Sequence, residues 1–293
     1  MNIYLRRMSK NHIRCNRTAM KKSIEKHGIN YVSELCEKNL RGLLHILKWN
    51  KENDIYFYRI TSDLLPWYTK HKISKLENSE VLYTLLGKAG EFIKRNNMRI
   101  SFHPSHFVKL ASDNESTVKN SLRDLEYHGD IMDYMGLEQN DYYPINIHIG
   151  AVYDGKEPTA DRLVSNYDKL SKSVQERLVL ENDDKSSCWG VSDLINISRR
   201  RNIPIVLDTL HHRFTDRGQS SQEAFDMARS TWETKPTIHH SNSKKQYEDG
   251  DSMRAHTDWI YEVPEVDGDY DMMIEAGKKE QAVLKYRYDY NIT

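Results

Sequence analysis

The sequence has no long apolar run, and this absence excludes the first large class of proteins. No stretch approaches the roughly 20 apolar residues that a membrane-spanning helix needs, and no secretory signal pattern opens the chain. Cysteine is also scarce, with three widely spaced residues among 293 and no zinc-site spacing. Because this composition does not suit a secreted protein stabilised by disulfide bonds, we expect a reducing, intracellular setting.

An excess of charge of either sign is missing as well. Lys+Arg and Asp+Glu both number 43, so the formal net charge is zero. A balanced chain does not point to a polyanionic partner, so any nucleic-acid surface has to be a local patch. Internal repeats and low-complexity segments are lacking too. The length suits one large α/β domain, and we predict a single domain over residues 1–293.

What the sequence does contain is a series of short apolar runs that end in histidine or a carboxylate. The clearest is residues 203–212, where a proline-bounded Ile/Val/Leu run is followed by Asp208, His211 and His212. The run predicts a buried strand. Ionisable groups at its end are costly to desolvate, and a divalent cation would compensate them. The same pattern recurs at residues 99–104, 144–150, 177–183, 237–240 and 271–276.

These runs alternate with amphipathic helical segments, which is typical of a parallel sheet. With a further strand at residues 55–60, seven strands predict a TIM (β/α)8-type barrel, in which the site lies at the C-terminal strand ends. A doubly wound open sheet is the alternative, but it would concentrate ligands at one switch point. Helices are predicted at about 31–53, 79–97, 114–135, 161–175, 191–202 and 222–232, and from Ala276 onward.

The number of candidate metal ligands exceeds what one ion needs. Three histidines and one carboxylate suffice for a single catalytic zinc, so the excess predicts two or three divalent ions with bridging carboxylates. Such clusters suit phosphodiester hydrolysis. Of the neighbouring pair His239 and His240, the strand alternation favours the first, while Asp183 and Asp184 are interpreted as loop residues. The candidate ligands are His103, His148, Glu181, Asp208, His211, His239, His256 and Glu275, with His71 as a ninth.

Taken in order along the chain, these segments resemble the UV damage endonuclease family, which is similar to endonuclease IV in fold and metal site. The resemblance implies a DNA repair endonuclease that nicks duplex DNA immediately 5′ to UV photoproducts and similar lesions. It also implies a manganese-type cluster, with Mg²⁺, Zn²⁺ or Co²⁺ as alternatives. The matching segments are residues 16–18, 56–63, 102–104, 124–130, 145–150, 180–184, 208–212, 254–256 and 274–276.

The resemblance further implies roles for individual residues. Glu181 would bridge two ions, and His71 would lie near the scissile phosphate, so these two are the catalytic candidates. The implied ligand sets are His103, His148 and Glu181 for one ion, Glu181, Asp208, His239 and Glu275 for a second, and His211 and His256 for a third.

The expected partner is damaged double-stranded DNA, bound by a monomer. His106 and Phe107 stand where relatives commonly carry a glutamine and an aromatic residue that probe the damaged dinucleotide. Phe107 keeps the stacking role, and His106 would take over the hydrogen-bonding role. Thr237 replaces a lysine of some relatives, so no role is assigned there. Phosphate contacts are expected from Arg254, Lys278 and Lys279, for which solvated surface charge is the alternative.

The first barrel strand is a separate question, because an eighth strand could come only from the start of the chain. In the family this strand ends in a Gly-Tyr-Pro-Cys-like segment followed by an asparagine, and Asn2 aligns best with that residue. The strand would then lie upstream of Met1. The alternative is that residues 2–5 form it in a shifted register. A barrel without it exposes two strand edges, and we expect lower stability and aggregation.

Two other functions share parts of this pattern. A metal-dependent sugar isomerase on the same barrel would also carry histidines and carboxylates at its strand ends. A catalytically degenerate lesion-binding protein would keep the DNA surface but lose the reaction. Nicking of UV-irradiated plasmid, absent on undamaged plasmid, distinguishes the endonuclease from the first, and binding without nicking would indicate the second.

Overall fold

All seven predicted strands form, and together they build a nearly closed parallel barrel. The computed structural model describes residues 13–292. Each strand pairs in parallel with its neighbours in chain order, so the order is β1-β2-β3-β4-β5-β6-β7. The strands are β1 (Phe57–Ile60), β2 (Arg99–Phe102), β3 (Ile145–His148), β4 (Leu178–Glu181), β5 (Ile205–Asp208), β6 (Thr237–His240) and β7 (Asp271–Ile274).

Helices fill the connections and cover the outside of the barrel. The predicted helix at 161–175 is divided into two helices in the structure, α5 (Lys156–Tyr167) and α6 (Lys172–Gln175). The first of them begins earlier than predicted, because Pro158 is tolerated in the first turn of a helix. None of the helices in residues 13–292 combines the length and apolar character needed to cross a bilayer. The helices are α1 (Lys21–His27), α2 (Ile29–Glu52), α3 (Ser79–Arg95), α4 (Glu115–Tyr134), α5 (Lys156–Tyr167), α6 (Lys172–Gln175), α7 (Val191–Arg201), α8 (Thr209–Thr215), α9 (Ser221–Arg229), α10 (Lys244–Tyr247) and α11 (Glu280–Tyr290).

The strand with the clearest sequence signal ends earlier than its apolar pattern suggests. β5 stops at Asp208, and α8 begins at the next residue. Asp208 caps this helix, because its Oδ1 accepts a hydrogen bond from the backbone N–H of His211 at 2.8 Å. His211 therefore reaches the barrel mouth from the first turn of a helix and not from the strand itself.

The two faces of the strands differ sharply in polarity. Outward-facing residues such as Ile147 and Leu180 join the main apolar core beneath the helices. Burial of one such side chain contributes about 1.5–3 kcal/mol. Inward-facing residues near the C-terminal ends are polar instead, as Asn146 and Glu181 show, and both are nearly inaccessible to solvent. The fold thus buries ionisable groups at one end of the barrel interior, where TIM barrels build their sites.

Side chains hold the barrel together between β1 and β7. Arg59 forms an ion pair with Glu275 across this seam, and the Arg287 guanidinium donates to the backbone carbonyls of Asn53 at 3.0 Å and Asp54 at 2.6 Å. A cavity of about 460 Å³ lies along the seam. The predicted eighth strand, whether residues 2–5 or a segment upstream of Met1, falls outside the described residues and stays a prediction.

Candidate metal centre at the barrel mouth

The predicted strand-end residues converge on one buried carboxylate, Glu181, at the end of β4. Glu181 is 1% exposed. Its Oε2 lies 3.1 Å from His103 Nε2 and 3.6 Å from His148 Nε2. Its Oε1 lies 3.0 Å from His239 Nδ1 and 3.6 Å from His211 Nδ1. A single carboxylate therefore faces four imidazoles contributed by two other strands, the residue that follows β2, and a helix.

Two groups of three ligand-type residues share this carboxylate. Within each group the ligand atoms lie within 4.8 Å of one another. The first group matches a ligand set that the resemblance implied. The second group differs from the implied ligand sets. It places Asp208 together with His211, whereas the resemblance placed these two residues on different ions. The groups are His103, His148 and Glu181, and Glu181, Asp208 and His211.

The chemistry of this donor set fits divalent cations. Asp208 is completely buried, and its Oδ2 has no hydrogen-bond partner among residues 13–292. A buried carboxylate oxygen without a partner is costly, and a cation removes that cost. Imidazole nitrogens and carboxylate oxygens are the ligands that Zn²⁺, Mn²⁺ and related ions accept. The residues present are therefore suited to hold metal ions.

A third corner of the cluster contains Glu275, which follows β7. Its Oε1 lies 3.4 Å from His239 Nδ1, and its Oε2 lies 3.5 Å from His256 Nδ1. Arg59 also enters this corner, where it pairs with Glu275 and places Nη2 3.2 Å from His239 Nε2. Arg59 was not among the residues predicted from the sequence to form the site. The sequence feature that could have indicated it is a charged residue inside the otherwise apolar strand 55–60, at a position that faces the barrel interior.

Burial and neighbouring charges act in opposite directions on the pKa values of the cluster. Burial alone would raise the pKa of Glu181, but the surrounding imidazoles outweigh it and hold this pKa well below its usual range. Burial lowers the pKa of His211, yet Asp208 and nearby glutamates outweigh it and raise the value to about 9. At His103 burial dominates and lowers the pKa to about 4. Glu181 is therefore anionic and His103 neutral at pH 7, the forms that bind cations.

The neighbouring histidines His212 and His240 are directed away from this cluster. The Nδ1 of His240 pairs with the Thr209 hydroxyl at 2.8 Å, and its Nε2 pairs with the Glu262 carbonyl at 2.8 Å. The Nε2 of His212 lies 3.1 Å from the Gln219 carbonyl. Strand alternation thus turns His239 inward and His240 outward, the arrangement that sequence analysis favoured.

Asp183 is a second residue whose place beside the cluster was not predicted from the sequence. It lies in the loop after β4, as predicted, but it is only 8% exposed. Its Oδ1 is 3.8 Å from His148 Nδ1. Burial raises its pKa to about 6, against the lowering effects of His148 and of backbone hydrogen bonds. A polar loop sequence gives no sign of such burial, because only the packing of the loop against β3 produces it.

The candidate lesion-reading residues lie on the rim of the mouth. Phe107 is 74% exposed, and its ring centroid lies 4.1 Å from that of His106. A cavity of about 590 Å³ extends from His106 to two residues of the cluster, His148 and His211. An exposed aromatic pair therefore stands at the entrance to a groove that leads to the candidate metal ligands.

The remaining predicted residues occupy varied positions around this groove. Arg254 is exposed and lies 3.8 Å from Asp184 Oδ2. Burial lowers the pKa of Lys279, and the Glu275 carboxylate is close enough to oppose that shift. The backbone N–H of Lys278 donates to Asp258, and that of His71, in the loop after β1, donates to Trp67. The roles of these residues stay predictions.

Comparisons with known proteins agree with this geometry. "UV-damage endonuclease" of Schizosaccharomyces pombe (strain 972 / ATCC 24843) is 35% identical over 97% of this chain, which spans only 49% of that longer protein. "UV DNA damage endonuclease" of Bacillus cereus (strain G9842) is 30% identical, and the match covers 92% of this chain and 86% of the relative.

Solved structures give the same picture. The crystal structure of SacUVDE matches with a TM-score of 0.85 and 34% identity, over 96% of this chain and 95% of that one. Endonuclease IV from Thermus thermophilus shares the fold, with a TM-score of 0.57 and 13% identity over 85% of this chain and 94% of its own. The sequence profile described as UV-endonuclease UvdE matches residues 1–291. This chain therefore belongs to the UV-endonuclease UvdE family.

Proposed function

We propose that the protein is a DNA repair endonuclease that cleaves duplex DNA immediately 5′ to UV photoproducts and similar distortions. The observation that carries this proposal is the convergence of four imidazoles on the buried carboxylate of Glu181. Membership of the family and relatives named as UV damage endonucleases support the substrate class. The lack of any overall positive charge fits a substrate recognised by a local surface and not by bulk attraction.

The proposed centre holds two or three divalent cations, with Mn²⁺ as the first expectation. When bound, the ions would supply Lewis-acid stabilisation of the phosphate and of the attacking and leaving oxygens. Glu181 would be shared between two of these ions, because both of its oxygens face imidazoles. Arg59 contributes a permanent positive charge that keeps Glu275 ionised and in place. The proposed ligands are His103, His148 and Glu181 for one ion, Glu181, Asp208 and His211 for another, and His239, His256 and Glu275 at the third corner.

Lesion recognition is proposed for the exposed rim. Stacking of a base on an aromatic side chain is worth about 1–3 kcal/mol, and Phe107 has the exposure that such stacking requires. His106 beside it offers ring nitrogens for hydrogen bonds to a displaced base. Exposed Arg254 is suited to contact phosphate, and Lys278 and Lys279 would do so closer to Glu275. An open, aromatic-rimmed groove also favours a polymer over the small sugar of an isomerase.

Cleavage of a defined substrate tests the proposal directly. A duplex that carries one UV photoproduct is incubated with the protein and Mn²⁺, and an undamaged duplex and a chelator-treated sample serve as controls. We expect one cut immediately 5′ to the lesion, with a 3′-hydroxyl, and no cut in either control. Equal cleavage of both duplexes, or cleavage unaffected by the chelator, would contradict the proposal. Tight binding of the damaged duplex without cleavage in any divalent metal would instead indicate a lesion-binding protein.

A further inference from the structure

We propose that Asp183 is a positioning residue that holds the His148 imidazole with Nε2 directed toward Glu181 and the ion expected there. This inference rests on the proposed metal centre and adds a residue that the family comparison did not single out. Asp183 would not bind the ion itself. It would fix the orientation and the protonation pattern of a histidine that does, which is a known way in which proteins tune metal sites.

The geometry places the two nitrogens of His148 between two different carboxylates. Nε2 lies 3.6 Å from Glu181 Oε2, and Nδ1 lies 3.8 Å from Asp183 Oδ1. The second distance exceeds a hydrogen bond, but a modest turn of the ring would close it. Among residues 13–292, neither His148 Nδ1 nor Asp183 Oδ2 has a hydrogen-bond partner, although both atoms are buried. Two buried polar atoms without partners therefore belong to neighbouring side chains, and the other oxygen of Asp183 is held by backbone hydrogen bonds from Trp189 and Gly150.

Tautomer chemistry explains why such a pair is needed. A neutral imidazole that binds a cation through Nε2 must carry its proton on Nδ1, and that proton needs an acceptor. In the other histidines of the two ligand groups, a backbone carbonyl fills this role. His103 Nδ1 lies 3.2 Å from the Pro104 carbonyl, and His211 Nδ1 lies 3.1 Å from the Asn182 carbonyl. At His148 the nearby acceptor is the Asp183 carboxylate.

Two hydrogen bonds hold the main chain of the loop that carries Asp183. The backbone N–H of Asp183 donates to the Trp189 carbonyl at 2.8 Å. Its carbonyl accepts from the Thr215 hydroxyl at 3.1 Å. Both hydrogen bonds fix the main chain on either side of the carboxylate, so its position does not depend on the side chain of His148. Precise support of this kind is what a preorganised metal ligand requires.

The Mn²⁺ affinity of the full chain, measured by titration calorimetry without DNA, tests the proposal. Asp183→Ala should weaken binding at the affected site roughly 10–100-fold, as is typical when the partner of a metal-bound histidine is lost. Asp183→Asn retains an acceptor oxygen and should recover part of the loss. Asp184→Ala removes a neighbouring carboxylate that faces Arg254 and should change the affinity less than about twofold.

A double-mutant cycle with His148→Ala separates positioning from general electrostatics. In the His148→Ala background, Asp183→Ala should cause no further loss, because its effect passes through the ring. Unchanged affinity in Asp183→Ala, or losses that simply add in the double variant, would overturn the proposal. So would a loss of thermal stability of the metal-free protein without a loss of affinity.

The outcomes also distinguish this inference from the proposed function. If the wild-type chain binds no Mn²⁺, the metal centre itself is wrong. If the wild type and Asp183→Ala bind alike, only the role of Asp183 is wrong. Should Asp183→Ala fail to fold, the comparison passes to Asp183→Asn, whose affinity must then be several-fold below that of the wild type, and equality would refute the proposal.

Discussion

Arg99 and the Glu181 cluster, at opposite ends of the barrel, are two buried charged sites that differ in how completely they are paired. At the N-terminal end, Arg99 is 2% exposed, and its guanidinium donates to the carbonyls of Tyr142, Lys235 and Asp141 and to the Asp271 carboxylate, at 2.7–3.2 Å. The protein itself supplies every partner of this cation. Such complete pairing is what a structural buried charge requires.

The C-terminal end buries charge without completing its pairing. Glu181 and Asp208 are as deeply buried as Arg99, but Asp208 Oδ2 and His148 Nδ1 lack hydrogen-bond partners among residues 13–292. The difference teaches that burial of charge alone does not mark a functional site. Burial combined with unsatisfied, converging ligand atoms does, because those atoms are satisfied by a group that the protein does not provide.

The largest expected effect comes from removing the shared carboxylate. Glu181→Gln should lower the nicking rate more than about 1,000-fold, equivalent to roughly 4 kcal/mol of transition-state stabilisation. His211→Ala should lower it less, because His211 belongs to one ligand group and Glu181 to both. Nicking of a photoproduct-containing duplex and the bound metal per chain measure both variants. Equal loss of one ion in each variant would contradict the bridging role of Glu181.

A matched change at the N-terminal end of the barrel should lower the stability of the protein and leave metal binding unchanged. Arg99→Met leaves the carbonyls of Tyr142, Lys235 and Asp141 without their buried donor and should reduce the free energy of unfolding by about 3 kcal/mol, although Asp271 keeps an ion pair with Lys235 at 3.2 Å. The fraction that stays folded should bind Mn²⁺ with wild-type affinity. Denaturant unfolding and calorimetry measure the two quantities. A tenfold loss of Mn²⁺ affinity in the folded protein would break the contrast between the two ends.

The smallest expected effect is a pH dependence of the free energy of unfolding, which arises from His211 at the barrel mouth. In the metal-free protein the pKa of His211 is raised to about 9, so its stabilising contribution is complete below its unfolded pKa of about 6.5. We expect the free energy of unfolding to fall by about 2.5 kcal/mol as pH rises from 6.5 to 9. His103, with a pKa lowered to about 4, does not titrate in this window.

Chemical unfolding at a series of pH values, with a chelator present, checks this slope. His211→Ala should flatten it, while the Arg99→Met variant, changed at the other end, should keep it. Saturating Mn²⁺ should abolish it, because the ion binds the neutral imidazole and replaces the proton. A slope that persists in His211→Ala would assign the titration to another group.

Local sequence pattern was sufficient for most of the architecture. Short, nearly continuous apolar runs predicted all seven strands, since burial on both sides of a parallel sheet demands them. The ionisable residue at the end of each run also predicted that Glu181 and the histidines would meet, because parallel strands bring their C-terminal ends to one edge. The errors were boundaries such as the start of α5 at Lys156, which local propensity defines poorly, and the short helices α1, α8 and α10, which were not predicted.

Relations between distant residues required the tertiary structure. Arg59 and Glu275 are 216 positions apart, and only the curvature of the sheet brings β1 close enough to β7 for them to pair. Asp208 caps α8 and at the same time faces the cluster, a combination that no residue pattern encodes. The sequence by itself determined which residue types lie at the barrel mouth, because burial and alternation act locally. The closed tertiary structure decided which of their atoms are paired and which are left for a ligand, because pairing depends on distances that exist only after the barrel forms.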